Sequence, residues 1–190
     1  MLEWRYMSKT KWIVLAVVAV VLIYGWGGYN SFVSKNEAID GQWAQVETQY
    51  QRRFDLIPNL VESVKGIMGQ EKEVFGKLAD ARSKYSGAAN ANEKAAAAGE
   101  VESALSRLLV VMENYPQLRS AEAVTTLMSQ LEGSENRVST ERGRYNDAVK
   151  VFNASVKRFP ANVLAGIFGF GERAYFEAAN GAENAPKVEF

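Results

Sequence analysis

The chain has 190 residues, with 22 basic and 22 acidic side chains and neither cysteine nor histidine. Disulfide staples, thiolate nucleophiles, imidazole bases and the usual zinc sites are therefore excluded, and the length suits one domain plus a small appendage. A net charge of zero, with acids matching bases along the chain, leaves no strip suited to a phosphate backbone, so nucleic acid is not an expected partner.

Residues 1–11 carry Glu3, Arg5, Lys9 and Lys11, and residues 12–29 then contain no charge. A helix over that stretch is about 27 Å long at 1.5 Å per residue, close to the hydrocarbon thickness of a bilayer. Trp12 stands at one end and Tyr24, Trp26 and Tyr29 at the other, where amphipathic rings favour the headgroup boundary. No small-x-small cleavage site follows the run, so an uncleaved anchor is expected over a removed signal peptide. Arg5, Lys9 and Lys11 precede the span and only Lys35 closely follows it, which predicts a cytoplasmic N-terminus and a large domain on the outer side. The expected location is the inner membrane of a bacterium, crossed once. Gly25, Gly27 and Gly28 point either to close contact between spans in an oligomer or to a flexible exit from the membrane.

Beyond the span, large apolar residues recur at Ile39, Trp43, Val46, Tyr50, Phe54, Ile57, Val61, Val64, Met68, Phe75 and Leu78. Steps of three and four define one helix face, which strands cannot produce. The phase passes through Pro58 unchanged and predicts one long helix, kinked there, about 60 Å in length over this ridge. Pro58 leaves the carbonyl of Phe54 without its helical donor, and Asn59 is placed to satisfy it. Arg52, Arg53 and Asp55 fall off the apolar face, as either a solvated surface or a docking patch.

Residues 86–99 are small and polar and predict a loop entering a second helix near Glu93 that ends before Pro116. Its face is Val101, Leu105, Leu108, Met112 and Tyr115. A third helix opens near Ser120 and carries Val124, Leu127, Leu131, Val138, Tyr145, Val149, Phe152, Val156 and Phe159 at the same spacing. Glu135 and Arg142 interrupt this seam as Glu71 interrupts the first. An ionic contact of Arg142 with Glu71 or Glu135 is expected, the alternative being that all three drift to the rim. Beside the seam lie Asn136, Ser139, Gly143, Asn146, Lys150 and Asn153, either a close-approach face or a wet one. Residues 163–170 are apolar nearly all round yet too short to span a bilayer. They predict either a buried fourth helix or, through Ile167, Phe168 and Phe170, a contact with lipid or a neighbouring subunit. An extended tail over 180–190 is expected, with Val188 and Phe190 docking or fraying.

The stretches QRRFDLIPNLVESVKG (51–66), ENYPQLRS (113–120), LEGSENRVSTERGRYNDAVKVFNASVKRFPANVLAGIFGF (131–170) and APKVEF (185–190) together resemble the bacterial LemA family. The resemblance covers the chain from about Asn30 onward. It implies an N-terminal anchor followed by a four-helix bundle over residues 30–179, without established enzymatic activity, cofactor or metal. It also implies membrane association, with some relatives forming magnetosome membranes and some encoded beside a membrane zinc protease. The family often has a histidine before the position of Glu71, whereas this chain reads GIMGQEKEVF, so no role needing an imidazole carries over there.

The second and fourth helices are short, which leaves the membrane-proximal half of the ridge undersupplied with cover. Identical subunits are expected to complete it. The function read from the sequence is a non-enzymatic, all-α, membrane-anchored scaffold that self-assembles and organises or shapes the membrane. The alternative is an adaptor for a membrane protein such as a zinc protease, docking through Arg52, Arg53, Asp55 and the stripe from Asn136 to Asn153.

Overall fold

The computed structural model describes residues 9–176, and every regular element among them is helical. Helix α1 runs Lys9–Lys65, α2 Lys72–Gly87, α3 Ala91–Met112, α4 Glu122–Lys157 and α5 Ala161–Phe168, with a 3-10 turn at Pro116–Ser120 before α4. The expected 180–190 tail, with Val188 and Phe190, lies outside the described residues.

Two boundaries differ from the sequence reading. Helix α1 is longer at its start, since the apolar span and the amphipathic ridge form a single helix that passes through Gly25, Gly27 and Gly28 without a break. It is shorter at its end, because residues 66–71 leave helical geometry and the ridge resumes in α2. Met68, inside that turn, is fully buried, so it fills the core position a continuous helix would have filled. The periodicity therefore survives the break. Pro58 lies inside α1, which continues beyond it.

The remaining helix starts follow local chemistry. Asn90 caps α3 by accepting from the Glu93 N–H at 2.9 Å, while the Glu93 carboxylate accepts from the Ala89 N–H at 2.9 Å. The first bond satisfies a donor that the first turn leaves open, and the second ties down the residue before the cap. Helix α5 ends at Gly169, whose φ of 74° is the left-handed conformation that glycine adopts at least cost.

The chain divides into two compact units. Among the described residues, the first comprises 9–41 and 147–175 and buries Phe32 and Ile39 of α1, Val149, Phe152 and Val156 of α4, and Ala165 of α5. The second comprises residues 42–146 together with Phe176. Within it α2 packs on α3 as an αα-hairpin, and both contribute to a core with Val46, Tyr50, Phe54, Ile57 and Leu60 of α1. Leu131, Val138 and Tyr145 of α4 belong to the same core.

These burial patterns correct the expectation of missing cover. Ile39 in the first unit and Val46, Tyr50, Phe54 and Ile57 in the second are all buried within one chain, and Trp43 is half-buried against Tyr145 and Phe176. The supply of apolar cover therefore gives no ground for a second copy. Phe159, expected at the end of the α4 seam, is instead 78% exposed, because the helix stops at Lys157.

Candidate functional site

In the first unit, the uncharged stretch of α1 presents its side chains outward all round. None of its apolar window is buried, and Trp26 reaches 76% exposure. A helix apolar on every face needs an apolar surrounding on every face. Nothing lies within 4 Å of a Cβ placed on Gly25 or Gly27, whereas one on Gly28 would meet Leu164 Cδ1 at 2.7 Å. The close approach at Gly28 is thus made by α5 of the same chain.

The contact continues through aromatic rings. Tyr29 meets Phe168 edge-on at 5.1 Å between centroids and Phe170 at 5.9 Å, and Phe170 leans on Phe32 at 5.2 Å and Phe152 at 6.4 Å. Of the three residues expected to touch lipid or a subunit, Phe170 therefore packs inward. Ile167 remains 70% exposed, and Phe168 is divided between Tyr29 and solvent.

Past Gly169 the chain has no regular secondary structure, and Asn153 of α4 holds it. The Asn153 Nδ2 donates to the carbonyl of Arg173, and its Oδ1 accepts from the Arg173 N–H, both at 2.9 Å. With only 4% exposure, this amide is neither a wet surface group nor a spacer between helices. Arg173 in turn reaches Asn36 and Asp40 on α1, and Lys157 pairs with Glu172. Within the second unit Asn146 grips Phe176 in the same two-bond fashion, at 3.0 and 2.8 Å. Asn136, Ser139, Gly143 and Lys150, which share the stripe in sequence, are exposed.

The charged residues of the second unit converge, with partners other than those expected. Arg142 donates to the Tyr50 hydroxyl and to Glu102, while Arg53 donates to Glu102 at 3.3 Å and to Glu135. Glu102 is thus shared by two guanidiniums, and Glu135 pairs with Arg53 instead of Arg142. Glu71 lies outside the cluster, accepting at 3.0 Å from the Tyr115 hydroxyl. Rings of Tyr50 and Phe176 lie 5.2 and 4.7 Å from the Arg142 guanidinium carbon, within cation–π range. Burial pushes the Glu102 carboxyl above its ordinary value, with the Arg142 and Arg53 charges opposing that shift. The Tyr50 hydroxyl is also raised, first by burial and then by Glu102.

Arg53, expected on a solvated surface or a docking patch, is only 9% exposed and faces this cluster. Arg52, Asp55 and Asn59 stay on the surface, where Asp55 accepts from Gln51. The signal for Glu102 was available: it sits beside Val101 and one turn before Leu105, on the edge of the apolar face of α3. Tyr50 was legible as a core ring, and its hydroxyl was the unassigned polar atom. Among the described residues no group of three or more acidic side chains is arranged to hold a metal ion. The cluster pairs every carboxylate with a cation, so its chemistry is that of a structural ion network.

Two magnetosome proteins of Paramagnetospirillum magneticum, MamQ 1 and MamQ 2, are each 27% identical to this protein over 86% of this chain and 68% of their own length. Magnetosome protein MamQ of Magnetospirillum gryphiswaldense is 26% identical over 78% of this chain and 64% of its own. Residues 42–190 match the sequence profile of the LemA family, and the chain belongs to that family.

Proposed function

We propose that this LemA-family protein is a single-pass membrane protein of the bacterial inner membrane, with its N-terminus in the cytoplasm and its helical domain, a four-helix bundle, on the outer side. It acts there as a non-enzymatic scaffold that self-associates and organises or shapes the adjoining bilayer. The observation that carries the reading is the apolar surface of residues 12–27, none of whose side chains is buried, on a helix that continues into buried core positions such as Ile39. Water does not accommodate that surface, and a bilayer of matching thickness does. The open faces of Gly25 and Gly27 support close packing of spans from two copies, since small residues let backbones approach in lipid. Similarity to proteins named for the magnetosome supports a role at a shaped membrane.

The test begins with membranes containing the full chain. Retention after alkaline carbonate extraction, protection of the N-terminus from externally added protease, and cross-linked species larger than a monomer are the expected results. Release by carbonate would overturn the anchor, and recovery as monomer alone would overturn the scaffold. Exposed Arg52, Asp55 and Asn59 support a second reading, docking of another membrane protein. Reversing the charge at Arg52 and Asp55 distinguishes the two: an adaptor loses a foreign partner, whereas the scaffold keeps its self-association.

A further inference from the structure

We infer that α5 is a second membrane-contacting element, lying in the headgroup boundary beside the exit of the span and burying Phe159, Val163 and Ile167 in lipid. This rests on the reading of residues 12–29 as a membrane anchor.

Three observations place it there. Helix α5 is docked by Leu164 and Phe168 onto Gly28 and Tyr29, the last residues of the uncharged stretch. At 1.5 Å per residue Gly28 lies about 11 Å from the middle of residues 12–29, within about 4 Å of the edge of a hydrocarbon half-thickness of about 15 Å. The docking site is therefore at interfacial depth. Next, α5 has a second apolar face that nothing in its unit covers: Val163 and Ile167, one turn apart, are 54% and 70% exposed, and Phe159, two residues before the helix starts, is 78% exposed. Finally, no charged residue occurs between Arg158 and Glu172, so the exposed stripe is framed by charges at its two ends and interrupted by none.

A short helix that is apolar on two faces and packed on one must place the other against something apolar. The surface continuous with its docking site is the exposed span itself, including Trp26. The same lipid that surrounds the span therefore reaches the stripe, and a wedge of three large side chains enters one leaflet, as interfacial helices do.

The chain has no cysteine, so single nitroxide labels can be placed without background. Labels at Val163→Cys and Ile167→Cys are compared, in full-length protein in phosphatidylethanolamine–phosphatidylglycerol vesicles, with Val18→Cys in the span and Lys150→Cys on exposed α4. Collisions with oxygen and with a water-soluble nickel chelate are read by electron paramagnetic resonance. The expected result is an oxygen-to-nickel ratio at 163 and 167 several-fold above that at 150 and approaching that at 18. A ratio like that of 150 would overturn the inference, as would low access to both reagents with spin–spin broadening, which marks coverage by a second copy. A lipid-like value at 18 with a water-like value at 167 overturns only the role of α5, whereas a water-like value at 18 removes the anchor reading itself.

Discussion

Arg142 donates from both Nε and Nη2 to the hydroxyl of Tyr50, 92 residues earlier in the chain, while the Tyr50 ring lies within cation–π range of the same guanidinium. One planar cation thus ties α4 to α1 inside the second unit and passes a further bond to Glu102 on α3. Hydrogen bonds to charged groups are worth about 1.5–3 kcal/mol when the partner is left unsatisfied. Arg142→Met is expected to lower unfolding free energy by about 2–3 kcal/mol, since it orphans a buried hydroxyl and half of a shared carboxylate. Arg142→Lys should lose about half as much, keeping the charge without the fork. Denaturant unfolding of the full chain in detergent micelles, followed by circular dichroism, measures both, and unchanged stability in Arg142→Met would show that the tie does not support the fold.

The same cluster predicts a pH dependence. Burial raises the Glu102 carboxyl above 4.5, so the folded state holds this proton more tightly than the unfolded chain does. The stability it contributes is full below the unfolded value and is lost as pH rises through the folded one. Glu102→Gln removes this titration but weakens bonds to Arg53 and Arg142. The wild-type advantage over Glu102→Gln is therefore expected to be greatest near pH 4 and to shrink toward neutrality. Paired unfolding curves at several pH values check the slope; a difference that grows with pH would contradict it.

Tyr85 offers the opposite case. Its ring packs edge-on against Phe54 at 4.8 Å, yet its buried hydroxyl has no hydrogen-bond partner, and burial pushes its pKa up to about 12. Leaving such a group dry costs about 1–3 kcal/mol, so Tyr85→Phe is expected to leave stability unchanged or raise it by about 1 kcal/mol. A loss beyond about 1 kcal/mol in the same unfolding assay would mean that the hydroxyl has a partner.

The dock of α5 on α1 is testable at Gly28. A methyl added there meets the mobile end of Leu164, so Gly28→Ala is expected to cost about 1 kcal/mol through mild overpacking. Leu164→Ala makes room, and the double variant should lose less than the sum of the singles by about 0.5–1 kcal/mol. Strict additivity would indicate that the two side chains do not meet.

Much of this architecture was legible because apolar spacing reports helix faces directly. Most of the ridge from Ile39 to Leu78, the α3 face from Val101 to Met112 and most of the α4 seam are buried as their periodicity required, with Trp43, Val61 and Phe75 of the ridge half-buried. The end of α1 was hidden by the same signal: Met68 keeps its core position through a turn, so phase alone could not reveal the break, and Gly66 and Gly69 were the overlooked markers. Charge partners were less legible, because Arg142 meets residues supplied by α1 and α3, and sequence distance says nothing about which carboxylate arrives there. The roles of Asn146 and Asn153 were missed for a related reason. Their partners are backbone atoms, which every residue possesses and no composition signals.

That last feature has a bearing on how freely the region can change. Asn153 reads Arg173 only through its amide and carbonyl, so the grip is blind to the identity of the side chain held. Position 173 can drift in sequence without the segment letting go, forfeiting its reach to Asn36 and Asp40 but not its seat on α4. Position 153, by contrast, has no ready substitute: glutamine carries the only other carboxamide and is a methylene too long for the same seat, and a neutral imidazole sets its donor and acceptor at a different spacing.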